Sequence, residues 1–225
     1  MANGLIRSES KGVILASASP RRRELLEQIG VRYEIAEHTV SEVALPGESP
    51  TTFVTRLALE KAQSARFLFG NPCWPVLGAD TIVVCDEHVL GKPADRFDAM
   101  RMWGLLSGRH HHVFSAVSLC GVKPGRDACE SEVLMSTTRV RFRHLTEQAC
   151  EAYWASGEPQ GKAGSYAIQG LGALFVIEIE GSYTGVVGLP LFETATLLER
   201  FGVSTGLSEE RIYREQGSLP QGTRR

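Results

Sequence analysis

The chain has 225 residues, 43% of them hydrophobic, enough for one large globular domain or two small ones. A net charge of −2 and a pI near 6.3 exclude a global bias toward nucleic acid or membrane surfaces, so charged recognition must be local. Apolar runs fall far short of the roughly 18 residues of a membrane helix, Met1–Gly12 lacks a signal peptide's apolar stretch, and five scattered cysteines with no C-x-x-C pair fit a reducing cytoplasm rather than zinc or a disulfide framework.

After an N-terminal extension (1–12), Val13–Ala16 predicts a short buried strand that ends in the turn Ser17-Ala18-Ser19. Ser19 suits an N-cap and Pro20 a first helical position, so a helix is expected over Arg21–Ile29. Its first turn holds Arg21, Arg22 and Arg23, where the helix dipole already places positive charge. Each cation there costs about 0.3–1 kcal/mol, and a bound phosphate reverses that sign. Arg22 also falls between Leu25, Leu26 and Ile29, the stripe that faces the protein body. Ser17–Arg23 therefore reads as a phosphate cradle, with a solvated basic turn as the alternative.

Ser49 and Pro50 open a second helix, Thr51–Phe69, preceded by a loop in which Glu42 taken singly says little. On its wheel Phe53, Val54, Leu57, Ala58, Ala65 and Leu68 span one half, and Lys61 falls in the middle of that arc. Lys61 either snorkels to water or sends its ammonium into a cleft to meet phosphate oxygens. On this wheel Lys61→Met should leave stability unchanged or raise it, because a cation leaves an apolar face. Val76–Cys85 is a buried strand with one carboxylate inside it, Asp80. An unpaired buried charge costs several kcal/mol, so Asp80 must be paired, protonated, metal-bound or facing a cavity. Gly78 and Ala79 beside it read as room for a ligand to approach the backbone.

Asp86-Glu87 marks a hairpin turn into His88–Leu90, after which Lys92 could return to the same end, though alone it is an ordinary turn lysine. A helix at Ala94–Leu106, strands at His112–Cys120 and Ser136–Phe142, and a polar break at Lys123–Arg126 follow. The triplet His110-His111-His112 is no metal site on this reading, because neighbours on a strand point to opposite faces and no carboxylate or cysteine stands at ligand spacing. After a helix at Thr146–Ser156, the segment Gly161–Gly172 carries four glycines yet is too apolar for a linker. Within it Gln169 offers one donor group and one acceptor, suitable for a base edge. A strand at Leu174–Ile179 and a helix at Leu191–Phe201 complete a domain over 13–203, and 204–225 reads as a polar tail with a short helix near Glu209–Glu215. Alternating helices and strands with two hairpins predict an α/β fold, a mixed sheet flanked by helices.

Six stretches together resemble the Maf family of nucleoside triphosphate pyrophosphatases. They are LASASPRRRELL (15–26), LGADTIVV (77–84), GKP (91–93), LSG-x-x-H-x-V (106–113), GEP-x-x-KAGSYAIQG (157–170) and GSY-x-x-VVGLPL (181–191), in order and at matching spacing over 13–202. The resemblance implies an elongated mixed sheet with two lobes around a deep nucleotide-binding cleft. It implies hydrolysis of a nucleoside triphosphate to monophosphate and pyrophosphate with a divalent cation, Mg or Mn, whose ligands stay unknown. Asp80 matches the family's catalytic base, Arg22, Lys61 and Lys92 its phosphate-binding positions, and Ser17 and Glu42 also map into its site. Arg21, Thr81 and Gln169 look like the branch acting on dTTP and UTP, since the branch acting on 7-methyl-GTP resembles Trp, Gln and Glu there. Ser115 stands where threonine is usual, a mild departure. The alternatives are a non-catalytic nucleotide- or nucleic-acid-binding regulator of septum formation or cell division, and an enzyme cleaving ITP or XTP. The expected partner is a small nucleoside triphosphate, not a membrane or nucleic acid, and a homodimer stays open.

Overall fold

β3 (Val76–Cys85) is the strand around which the molecule is organised, and its pairing is unequal on its two edges. In the computed structural model, which describes residues 11–37 and 40–208, one edge of β3 is paired with β5 (His110–Val122) along nearly its whole length, from Val76↔Cys120 to Val84↔His112. The opposite edge pairs in parallel with β1 (Val13–Leu15) only at Val76 and Leu77, and with the short antiparallel β4 (His88–Leu90) only from Val83 onward. Between these two neighbours, residues 78–82 leave a gap in the sheet. That gap lets side chains from both faces of β3 reach one opening.

The sheet continues antiparallel from β5 to β6 (Cys129–Phe142) and β7 (Val176–Glu180), and parallel from β1 to the edge strand β2 (Tyr33–Ile35), giving seven strands in all. This is the expected mixed α/β sheet. Among the described residues six α-helices flank it: α1 (Pro20–Gln28), α2 (Pro50–Leu68), α3 (Arg96–Leu106), α4 (Glu147–Ala155), α5 (Tyr183–Val187) and α6 (Leu191–Arg200). Among the described residues none is long and apolar enough to cross a membrane.

Alternation along β3 sorts the core. Leu77, Ala79, Val83 and Cys85 join the large cluster with Leu25 and Leu26 of α1, Trp103 of α3 and Phe201, whereas Ile82 and Val84 pack on Phe53, Val54, Leu57 and Ala58 of α2. Asp80 has the parity of the α2 face. The glycine before it decides how close that helix comes, because a Cβ at Gly78 would stand 2.3 Å from the Ala58 carbonyl and 2.6 Å from the Ala62 nitrogen. Gly78 thus admits the α2 backbone rather than a ligand, which corrects the sequence-based reading. It also brings the Lys61 turn of α2 against Asp80.

Other expectations need adjustment. β2 has no apolar run to announce it, being a three-residue edge strand with Glu34 and Ile35 exposed. β6 begins at Cys129 rather than Ser136, because Glu130 and Glu132 are held in the ladder by register with β5 despite their polarity. α5 lies inside a stretch of glycines and β-branched residues, a composition that hides a five-residue helix. Leu68, assigned to the buried half of α2, is 61% exposed in the last turn of that helix. The helix expected near Glu209–Glu215 lies outside the described residues, and at the start of the expected tail the Gly206 N–H donates to the Ile29 carbonyl.

Candidate active site

Where β1 ends, the chain turns through Ser17–Ser19 into α1 beside the gap in the sheet. Ser19 supplies no side-chain cap to the helix, contrary to expectation. The Ser17 hydroxyl takes over locally, accepting from the Ser19 N–H at 3.2 Å and from Arg22 Nη1 at 3.1 Å. The first amides of α1 are thereby left without an acceptor from their own helix or cap, the condition under which a helix N-terminus holds an anion.

Arg22 does turn inward, as its place on the wheel requires. Its Nε donates to the Gly188 carbonyl at 2.8 Å, tying α1 to the loop after α5. Burial pulls its guanidinium below the usual arginine range, the charge of Asp80 opposes that fall, and Arg21 adds to it. The Arg21 guanidinium makes no hydrogen bond among the described residues and is likewise lowered chiefly by burial, so two adjacent and partly desolvated cations face the opening.

Lys61 lies between two carboxylates. Its Nζ donates to Asp80 Oδ1 at 2.6 Å and to Glu42 Oε1 at 2.7 Å, with 13% of the lysine side chain and 10% of the aspartate side chain exposed. Lys92 Nζ reaches the other oxygen of Glu42 at 3.2 Å. The ammonium thus borders the opening rather than snorkelling to bulk water, and the groups it meets there are two carboxylates. Burial raises the Glu42 carboxyl, but the hydrogen bonds and charges of Lys61 and Lys92 outweigh it and leave it lowered. Among the described residues the Asp80 carboxylate has no hydrogen-bond partner other than Lys61.

On the paired edge of β3, Ser115 of β5 lies opposite Thr81 and donates to the Gly185 carbonyl at 2.6 Å. Its one proton is thus committed, so the Thr81 hydroxyl 2.7 Å away donates to Ser115. Serine at 115 fills this role without a methyl group. Thr81, but not Ser115, borders a cavity of about 600 Å³. Of the nine candidate residues, Ser17, Arg21, Arg22, Glu42, Lys61, Asp80, Thr81 and Lys92 line it. Gln169 does not; it is exposed in the turn at 168–170. Sequence reasoning missed Lys162 and the C-terminal end of α5, Val186 to Gly188, both in the lining. A cation inside an otherwise apolar Gly-rich segment was the available signal for Lys162. Burial and the charge of Arg21 lower its ammonium.

His111 is buried inside the strand, its Nε2 2.9 Å from the Tyr166 hydroxyl and its ring edge-on to Phe142. Burial drives it down to about 3, so it is a neutral core residue. No cluster of three or more histidine, cysteine or acidic side chains suited to a metal occurs among the described residues.

Such a geometry defines an α/β protein with a cation-lined cleft, in which a strand carboxylate stands among converging cations. The chain belongs to the Maf family: the family model described as Maf-like protein matches residues 12–201. Curated relatives named dTTP/UTP pyrophosphatase cover most of it. That of Alkalilimnicola ehrlichii is 49% identical over 195 residues, 85% of this chain and 93% of the relative. Those of Pseudoalteromonas atlantica and Vibrio parahaemolyticus are each 48% identical, covering 85% and 86% of this chain and 98% of their own.

Proposed function

We propose that this protein is a nucleoside triphosphate pyrophosphatase that hydrolyses dTTP and UTP, and modified pyrimidine triphosphates of the same shape, to the monophosphate and pyrophosphate. The observation that carries the reading is Asp80, a carboxylate on a buried strand that faces a cavity beside Arg22, Lys61 and Lys92. A module that merely bound a polyanion would gain nothing from a negative charge there, whereas hydrolysis needs a group to orient and deprotonate water. The cations neutralise charge on the triphosphate and on the departing pyrophosphate, a role suited to donors fixed before substrate arrives. Arg22, held by Gly188 and Ser17, is fixed in that sense.

A divalent cation, Mg or Mn, belongs to the same reading. Asp80 and Glu42 are hard oxygen donors on the cavity wall, and Mg takes one or two carboxylates together with substrate phosphates and water. Those two residues would hold the ion, which supplies charge neutralisation at the phosphates. Selection of thymine or uracil is assigned to Arg21 and Thr81 in the lining and to Gln169, which is exposed outside it, in a cytoplasmic setting. Pyrophosphate release across a panel of nucleoside triphosphates tests the reading. Turnover of dTTP and UTP above purine triphosphates supports it, and turnover of ITP, XTP or GTP alone overturns it.

A further inference from the structure

The turn that carries Gln169 is held at both ends by one pair, the buried Tyr153 and the half-buried Glu158. Before the turn, the Ala167 N–H donates to the Tyr153 hydroxyl at 3.0 Å. After it, the Leu171 N–H donates to Glu158 Oε2 at 2.9 Å and the Gly172 N–H to Oε1 at 3.0 Å. The Tyr153 hydroxyl closes the set by donating to Glu158 Oε1 at 2.7 Å. Gly170 allows the carboxylate under the turn, since a Cβ there would stand 2.0 Å from Oε2. The Gln169 amide, by contrast, makes no hydrogen bond among the described residues, so a turn fixed on all sides presents a free donor and acceptor. Burial raises Glu158, and the bonds from Tyr153, Gly172 and Leu171 outweigh it, which keeps the acceptor charged. Arg21 and Lys162, both in the cavity lining, lie within the field of that carboxylate.

We propose that Glu158, braced by Tyr153, is the positioning residue that sets nucleobase discrimination by holding the Gln169 turn, which follows the cavity-lining Tyr166 by two residues. The inference rests on the pyrimidine reading above. Glu158→Gln turns one acceptor into an NH₂ that faces the Leu171 N–H, so one of the two pins is lost. The test compares kcat and KM for UTP and CTP, and inhibition of UTP cleavage by inorganic tripolyphosphate, which has no base. Expected for Glu158→Gln is a rise in KM for UTP of about tenfold, the equivalent of one hydrogen bond, with kcat little changed. The UTP-to-CTP preference falls with it, and the tripolyphosphate inhibition constant stays within twofold. Tyr153→Phe, which removes a single hydroxyl, moves the same quantities less and guards against a glutamine variant that fails to fold. An unchanged UTP-to-CTP preference in the folded variants overturns the proposal, as does an inhibition constant that weakens in step with KM. A wild-type protein that cleaves tightly bound purine triphosphates and no pyrimidine overturns the functional reading itself, before any variant is made.

A second, independent observation concerns the far end of the β5–β6 hairpin. Cys120 and Cys129, on the same face of paired strands, have sulfurs 3.7 Å apart, the first buried and the second exposed. The geometry points to a reversible disulfide formed by exchange with a low-molecular-weight disulfide such as oxidised glutathione. The Cys129 thiolate attacks one glutathione sulfur, breaks its S–S bond and releases one glutathione thiol. The Cys120 thiolate then attacks Cys129 Sγ and releases the second, each departing thiolate taking up a proton lost by a cysteine. After incubation with oxidised glutathione and unfolding in acid, the five free thiols should fall to three, with peptides 120 and 129 joined. Five remaining thiols, or glutathione retained on Cys129 beside a free Cys120, overturns this.

Discussion

Replacing Lys61 with methionine distinguishes the helical wheel from the folded site, because the two predict opposite signs. On the wheel the change removes a cation from an apolar face and should stabilise. In the structure it strips Asp80 of its hydrogen-bond partner at 2.6 Å, with 10% of the aspartate side chain exposed. Removing one member of a buried pair costs about 3–5 kcal/mol. The cleft solvates part of Asp80 and Arg22 supplies a second positive charge nearby, which brings the expected cost to about 2–3 kcal/mol. For a chain of this size that is a fall in Tm of roughly 5–10 °C. Asp80→Asn should cost less, about 1 kcal/mol, since Lys61 keeps Glu42 at 2.7 Å. The double variant Lys61→Met/Asp80→Asn should then recover about 1.5–2 kcal/mol of the summed loss. Thermal unfolding followed by tryptophan fluorescence, at pH 7 and low salt, measures the cycle. A Lys61→Met protein as stable as wild type, or a coupling below about 0.5 kcal/mol, would show that Asp80 does not depend on this ammonium.

Lys92→Ala, which removes an exposed cation paired only with Glu42, should leave Tm within about 1 °C, as surface pairs contribute little. Its KM for triphosphate should rise severalfold in steady-state assays, and an unchanged KM removes Lys92 from the phosphate site. Because His111 titrates at about 3 when folded and near 6.5 when unfolded, the unfolded chain binds the extra proton between those values. Stability is thus fully present above pH 6.5 and falls by about 1.4 kcal/mol per unit as pH drops toward 3. His111→Leu should lose about 2 kcal/mol less than wild type between pH 7 and 5 in urea titrations, and equal losses contradict the burial argument. Chelation should abolish pyrophosphate release and added Mg or Mn restore it, whereas full activity in excess chelator removes the divalent cation from the mechanism.

Much of the site was legible because it breaks local rules. Three arginines in a helix's first turn, a lysine on an apolar arc and an aspartate inside a buried strand each oppose folding preference, and Arg21, Arg22, Lys61 and Asp80 line one cavity. What stayed hidden depends on chain crossings. No local pattern shows that β1 and β4 leave residues 78–82 of β3 uncovered, or that Gly78 serves helix approach rather than a ligand. The partner of Arg22 is a backbone carbonyl 166 residues away, which carries no side-chain signal at all. Spacing between Cys120 and Cys129 likewise follows from hairpin register, not from a motif. Gln169 was singled out for its chemistry, while the pair that holds its turn was passed over. Tyr153 reads as an ordinary helix residue and Glu158 as a loop acid until the fold brings them together.

The central claim is that Asp80 performs a chemical step in a pyrimidine triphosphate pyrophosphatase, and pyrophosphate release from UTP and dTTP by wild type and Asp80→Asn tests it most directly. With a divalent cation present, wild type should turn over both substrates. The nearly isosteric amide should lower kcat by roughly 10²–10⁴, the range for losing a general base, while nucleotide binding measured by calorimetry persists. A variant that retains full turnover, or a wild type that binds both nucleotides and releases no pyrophosphate, contradicts the account.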